Sequence, residues 1–284
     1  MKILAFILVN LMSTAILLAQ FGPEQVINTN SGGARAVYCI DLDGDKDDDI
    51  LLASENDDKI AWYENLGNNS FSTENVISNS VLGPVSIFAG DIDGDNDNDV
   101  LSANSEGGTV TWFENLGGGA FSTQNLISGN AMGANSVYAI DLDAVSDLDI
   151  VATSFVDGKV TWYENLGNGD FGGRQVLTFN GNPRQVFATD LDGDNAPDIL
   201  VADALNDITW FENLGSGAFG DEQIVGSLFY LDDVYAGDLD NDGDADIIAA
   251  GNYNWITNYE NLGDGQYGSE QLVTDSAGGA VNIY

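Results

Sequence analysis

Five aspartate-rich runs of nine residues recur along this chain at a nearly fixed interval. They begin at Asp41, Asp91, Asp141, Asp190 and Asp238, so successive spacings are 50, 50, 49 and 48 residues. A fixed period of this length is the mark of a propeller or solenoid, in which each repeat is one small unit that buries its apolar face only against its neighbours. Within each run, carboxylates fall at alternate positions around a tight turn. That is how a loop wraps a hard cation such as calcium. The chain is therefore constrained to be an array of units that share a loop chemistry.

The third unit shows what surrounds each loop. Residues 136–140 (SVYAI) read as a first strand, 150–153 (IVAT) as a second and 159–165 (KVTWYEN) as a third, rich in β-branched and aromatic residues. A glycine turn follows at 166–170, and a fourth strand runs from Phe171 to Thr178. Matching third strands carry Trp62, Trp112 and Trp210, whereas the fifth has Asn258 at that position and Trp255 three residues earlier. The expected fold class is all-β: a β-propeller of four-stranded antiparallel blades, with no helical periodicity after the N-terminal segment. Blades are expected over about 34–78, 84–128, 134–178, 183–226 and 232–274.

Charge narrows the partners. Seven Lys and Arg against 46 Asp and Glu give a formal net charge of −39, which repels nucleic-acid phosphates and anionic lipid surfaces. The chain is nonetheless 44% hydrophobic in a regular pattern, so it folds rather than staying disordered. Two carboxylates about 5 Å apart repel by roughly 3 kcal/mol at an effective dielectric of about 20. The acidity packed into the loops is thus itself an argument for bound cations.

The termini carry further signals. Lys2, an apolar stretch from Ile3 to Leu18 and then Ala19 read as a signal peptide over residues 1–19, which places the protein outside the cell or on its surface. No other stretch is long enough to span a membrane. Residues 21–28 look like a fourth strand without its blade, expected to act as a closing strand. Residues 276–284 look like the start of a sixth blade, so the chain is expected to be a piece of a longer protein. Cys39 is the only cysteine, and its counterparts are Ala89, Ala139, Ala188 and Ala236, which predicts a buried, inert thiol.

Phe-Gly pairs open fourth strands at 21, 171 and 219, and Gly-Ala or Gly-Pro pairs follow at 33, 83 and 133, each ahead of an aspartate loop. This combination resembles the FG-GAP/VCBS repeat of integrin α-subunit propellers and many secreted bacterial proteins, over residues 21–284. The resemblance implies a propeller with calcium in the loop joining the first and second strands of a blade. Carried onto this sequence, the ligands are Asp41, Asp43, Asp45 and Asp49 with the carbonyl of Asp47. The equivalents are Asp91, Asp93, Asp95, Asp97 and Asp99; then Asp190, Asp192, Asp194, Ala196 and Asp198; then Asp238, Asp240, Asp242, Asp244 and Asp246. Ala196 serves because only its carbonyl is used. The third loop keeps Asp141, Asp143, Asp147 and Asp149 but has Ala144 for the turn glycine and Val145 for a ligand, so its site is expected to be weak or empty. The expected cofactor is calcium, at about four sites with a degenerate fifth. EF-hand geometry is excluded, since the twelfth residues (Leu52, Ser102, Ala152, Val201 and Ala249) offer no carboxylate.

The sequence has no histidine, which removes His-based triads and His-ligated zinc. Its carboxylate pairs follow the repeat instead of standing out from it, so no enzyme activity is expected. The function expected is a non-catalytic binding or adhesion module with a protein or glycan ligand outside the cell. A lectin-like propeller and a scaffold domain of a larger secreted enzyme stand as the alternatives. The repeats diverge in the loops away from the aspartate runs, at Phe155, Phe229, Tyr230, Tyr253 and Trp255, and these are the candidate ligand-binding residues.

Overall fold

The computed structural model describes residues 25–177, 179, 181–251 and 255–276. It forms five four-stranded antiparallel sheets, each built from consecutive strands. The first holds β1 (Ala34–Ile40), β2 (Asp49–Ser54), β3 (Lys59–Tyr63) and β4 (Asn75–Ser78). The second holds β5 (Pro84–Gly90), β6 (Asp99–Asn104), β7 (Thr109–Phe113) and β8 (Asn125–Ser128). β9 (Ala134–Ile140), β10 (Asp149–Ser154), β11 (Lys159–Tyr163) and β12 (Gln175–Leu177) make the third. β13 (Pro183–Thr189), β14 (Asp198–Asp203), β15 (Asp207–Phe211) and β16 (Gln223–Ser227) make the fourth, and β17 (Leu231–Gly237), β18 (Asp246–Gly251), β19 (Trp255–Tyr259) and β20 (Gln271–Thr274) the fifth. These are propeller blades, and every aspartate run joins the first strand of a blade to its second.

In the second, third and fourth blades the middle strands are buried on both faces, because each of these blades lies between two others. β6, β10 and β14 are buried along their whole length. Their sequences are accordingly near-continuous small and aliphatic runs with no polar alternation. In the first four blades, the face bearing the third-strand tryptophan packs on the following blade. Thus Leu51, Ala53, Ile60 and Trp62 of the first meet Ile87, Ala89, Val100 and Phe113 of the second. Trp62, Trp112, Trp162 and Trp210 are at most 6% exposed, so they belong to these seams.

Two devices lock each seam. The tryptophan ring lies over a turn glycine of the next blade, where a Cβ would collide with it: Gly119 under Trp62, Gly169 under Trp112, Gly217 under Trp162 and Gly265 under Trp210. In addition, Asn115, Asn165, Asn213 and Asn261 each donate through Nδ2 to a loop carbonyl of the preceding blade (Leu42, Ile92, Leu142 and Leu191) at 2.7–2.8 Å.

One expectation fails at the first blade. Cys39 is exposed, although Ala89, Ala139, Ala188 and Ala236 are all buried against a preceding blade. Among the described residues no sheet precedes the first, so Cys39 and its neighbour Val37 (49% exposed) lie open. Partial burial still raises the thiol pKa, with the Asp48 carboxylate adding to it. Residues 25–28, the described part of the expected closing strand, form no strand among the described residues. They instead reach sideways: Asn28 donates to the Tyr63 hydroxyl at 2.5 Å and to Glu74 at 3.2 Å. The expected signal peptide, residues 21–24 and most of the expected sixth-blade start (277–284) lie outside the described residues.

Candidate metal centres and the opposite face

The aspartate loops are shaped by their own backbone. In the first, Asp41 accepts from the N–H of Gly44 at 2.7 Å and of Lys46 at 2.8 Å, and Asp43 and Asp45 accept from the N–H two residues on. This curls the chain so that Gly44 and Lys46 both take left-handed φ, +85° and +77°. The same pair of positive φ values recurs at Gly94 and Asn96, Gly193 and Asn195, and Asn241 and Gly243. Small residues and asparagine tolerate that region best.

The ninth residue of each run has a second task. Asp49, Asp99, Asp149, Asp198 and Asp246 are all at most 2% exposed. One oxygen of each accepts from the N–H of the second loop residue at 2.8–3.0 Å. The other accepts from the N–H of the third-strand asparagine at 2.7–2.8 Å. Each therefore fastens the loop to the turn after the third strand.

In every loop three carboxylates bring one oxygen each within 4.8 Å of one another: Asp41, Asp43 and Asp45; Asp91, Asp93 and Asp99; Asp141, Asp143 and Asp149; Asp190, Asp192 and Asp194; Asp238, Asp240 and Asp246. An all-oxygen, all-anionic donor set fits a hard divalent cation and suits neither zinc nor copper. Electrostatics agrees with the donor chemistry. Burial pushes the Asp99 and Asp198 carboxyls up to about 7 and Asp149 up to about 6, against the lowering effect of their N–H partners. Asp93 is raised by burial and then by Asp95. Without a cation these groups resist ionisation, and a cation would relieve that.

The third loop holds its shape despite its sequence. Ala144 and Ser146 take φ of +66° and +73°, and Asp141 still accepts from both N–H groups. What it loses is the fifth position. Val145 is 61% exposed, and the bond that Asp45, Asp95, Asp194 and Asp242 accept from the N–H two residues on has no acceptor here. Asp147 is left with a buried oxygen that has no partner among the described residues.

The variable residues lie at the other end of the blades, in two places. Phe229 and Tyr230 meet edge to face at 4.3 Å, 59% and 45% exposed, just before β17. Trp255 is 42% exposed and pairs in register with Gly251. Phe155 sits apart, its ring 6.0 Å from the Arg184 guanidinium. Tyr253 lies outside the described residues.

Sequence reasoning missed a cavity of about 660 Å³ bounded by the first strands of all five blades. A signal for it was present: the fifth residue of each first strand is aromatic, namely Tyr38, Phe88, Tyr138, Phe187 and Tyr235.

A family model described as an FG-GAP-like repeat matches residues 41–102, 91–144, 146–201 and 190–249. Among solved structures, a lectin of Agrocybe aegerita described by its specific recognition of non-reducing terminal N-acetylglucosamine is similar, with a TM-score of 0.62 at 21% identity. The similarity covers 86% of this chain and 67% of the lectin. At that identity the likeness concerns the fold. No curated protein matches the chain in sequence.

Proposed function

Because the chain belongs to the FG-GAP-like repeat family, we propose that it is an exported, non-catalytic binding module whose β-propeller is stapled by calcium. The observation that carries this is the repetition of one oxygen cluster in five loops, each within 4.8 Å and each tied to its blade by a buried aspartate. A calcium ion there would be held by the aspartates of the run and would join the first strand of a blade to the second and third. Its binding free energy would add to folding, as for any ligand held by the native state alone. The aspartates of the runs read as structural ligands rather than catalytic groups. Export rests on the N-terminal apolar segment and on the abundance of calcium outside cells. Among the described residues no helix is long and apolar enough to cross a membrane.

The stoichiometry tests the metal reading. Calorimetric titration of the calcium-stripped chain is expected to find four tight sites, with the third loop weak or empty. Five sites of equal affinity would overturn the assignment to the third loop, and none would overturn the calcium reading itself.

A second reading names the ligand as a glycan. It is supported by the likeness to a glycan-recognising lectin and by the partly exposed aromatic rings at the end away from the aspartate loops. A protein ligand for the same end is the competing possibility, and glycan-array binding separates the two.

A further inference from the structure

Alternate residues of a strand face the same way, so the first strands of the blades line the propeller axis in tiers. The lower tier is the aromatic belt. Tyr38, Phe88, Tyr138, Phe187 and Tyr235 follow one another with ring centroids 5.4, 5.2, 5.1 and 4.6 Å apart. Burial pushes the Tyr138 phenol up to about 12, with Tyr38 and Tyr235 adding to the shift, so the three phenols share this space. Two residues earlier in each strand, the wall becomes polar and varied, with Ser86, Ser136 and Gln185 lining the cavity. Above them Arg184 pairs with Asp232, and Phe155 stands beside Arg184.

Several polar groups here have unused capacity. Ser86 accepts from the N–H of Val137 and Ser136 from that of Val186, each at 3.2 Å, which leaves both hydroxyl protons free to point inward. Gln185 Oε1 and Asp232 Oδ2 are buried with no partner among the described residues, and the Asp232 side chain is only 9% exposed. A buried acceptor without a donor is left desolvated and unpaired, so these two atoms point to an occupant that supplies hydrogens.

We propose that this axial cavity binds a small uncharged sugar of one or two rings. The inference deepens the glycan reading above and rests on it. A cavity of about 660 Å³ is of small-molecule size. The wall offers donors and acceptors in mixture, and each sugar hydroxyl is both. The lining carries Arg35 and Arg184 against Asp232 and Asp233, so its formal charges balance, and the chain's net charge of −39 disfavours an anion. The belt below supplies apolar surface for sugar C–H groups.

The test uses the calcium-loaded chain and saturation-transfer NMR with N-acetylglucosamine, galactose, mannose and cellobiose. At least one should bind the unaltered chain and Leu126→Ser, a change on the exposed edge strand β8. Affinity for that sugar should fall roughly tenfold in Gln185→Ala and fall also in Asp232→Asn, since one lost hydrogen bond is worth about that factor. Gln185→Ala removes an unpartnered oxygen, so its melting temperature should not drop, which separates lost binding from lost folding. Binding retained in both cavity variants would overturn the axial site and leave the glycan reading standing. Binding of none of the four sugars would overturn both.

Discussion

The two ends of this propeller follow opposite rules. At the aspartate-loop end, one hydrogen-bond scheme recurs in all five blades: an aspartate fastens the loop at 2.8–3.0 Å and the third-strand turn at 2.7–2.8 Å. At the other end the residue before the first strand is Gly33, Gly83 and Gly133 in three blades, then Asn182 and Tyr230. The difference separates what holds the fold from what is free to change. The loop end must collect like charges, hold left-handed φ and seat a tryptophan from the neighbouring blade, so few residues serve. The opposite end gathers no such charges and seats no neighbouring tryptophan, although the residue before the first strand is left-handed at Gly33, Gly83, Gly133 and Tyr230; a rigid scaffold with variable loops is where recognition is usually placed.

The largest effect should come from removing the cation. With free calcium at about 100 times Kd, each filled site stabilises the fold by roughly 2.7 kcal/mol. Stripping calcium in dilute buffer should therefore lower the melting temperature by roughly ten degrees or more. A melting curve that ignores chelation breaks the comparison at its root, because the loop end would then be held by backbone alone. The seam beside the loops comes next. A Cβ on Gly217 would lie 2.5 Å from Cη2 of Trp162, at a φ of +69°. Gly217→Ala should cost about 2–4 kcal/mol, combining overpacking with left-handed strain. A loss under about 1 kcal/mol in denaturant unfolding would show that the seam is looser than its geometry.

How much of this was legible follows the same division. Period, strand order and the carboxylate clusters could be read directly, since each depends on residues within one repeat. The partners of Asn115, Asn165, Asn213 and Asn261 could not, because each bond spans 70–73 residues to another blade. Cys39 failed for a related reason: its repeat position is a core site, but burial there is supplied by a preceding blade. Phe155 was singled out for its variability, yet its place beside Arg184 at the axial cavity emerges only when five strands converge.

A smaller and opposite-signed effect is expected from pH. In the metal-free chain Asp99 and Asp198 have folded pKa values of about 7 against an ordinary 3.8, raised chiefly by burial. The folded state then holds protons that the unfolded chain has released, so stability is greatest at low pH and falls as pH rises from about 4 through 7. Calcium reverses the slope, because it binds only the ionised carboxylates. Melting temperatures should fall with pH for the stripped chain and rise with pH for the loaded one. Curves that run in parallel would mean the buried aspartates are not coupled to the metal.

The smallest effect should lie at the opposite end, at Tyr230. Its φ is +56°, a region that a bulky side chain adopts at a cost of about 1 kcal/mol, and Gly33, Gly83 and Gly133 occupy the same place at +63° to +66°. Tyr230→Gly removes that strain, but it also loosens the unfolded chain and breaks the ring pair with Phe229, worth about 0.5–1.5 kcal/mol. These terms oppose one another, so unfolding free energy should change by less than about 1 kcal/mol in either direction. A loss of 2 kcal/mol or more would make Tyr230 part of what holds the blade, and the opposite end would no longer be free. A near-zero change instead leaves a strained, half-exposed ring that stability does not require, in a position where three of its four counterparts have no side chain at all.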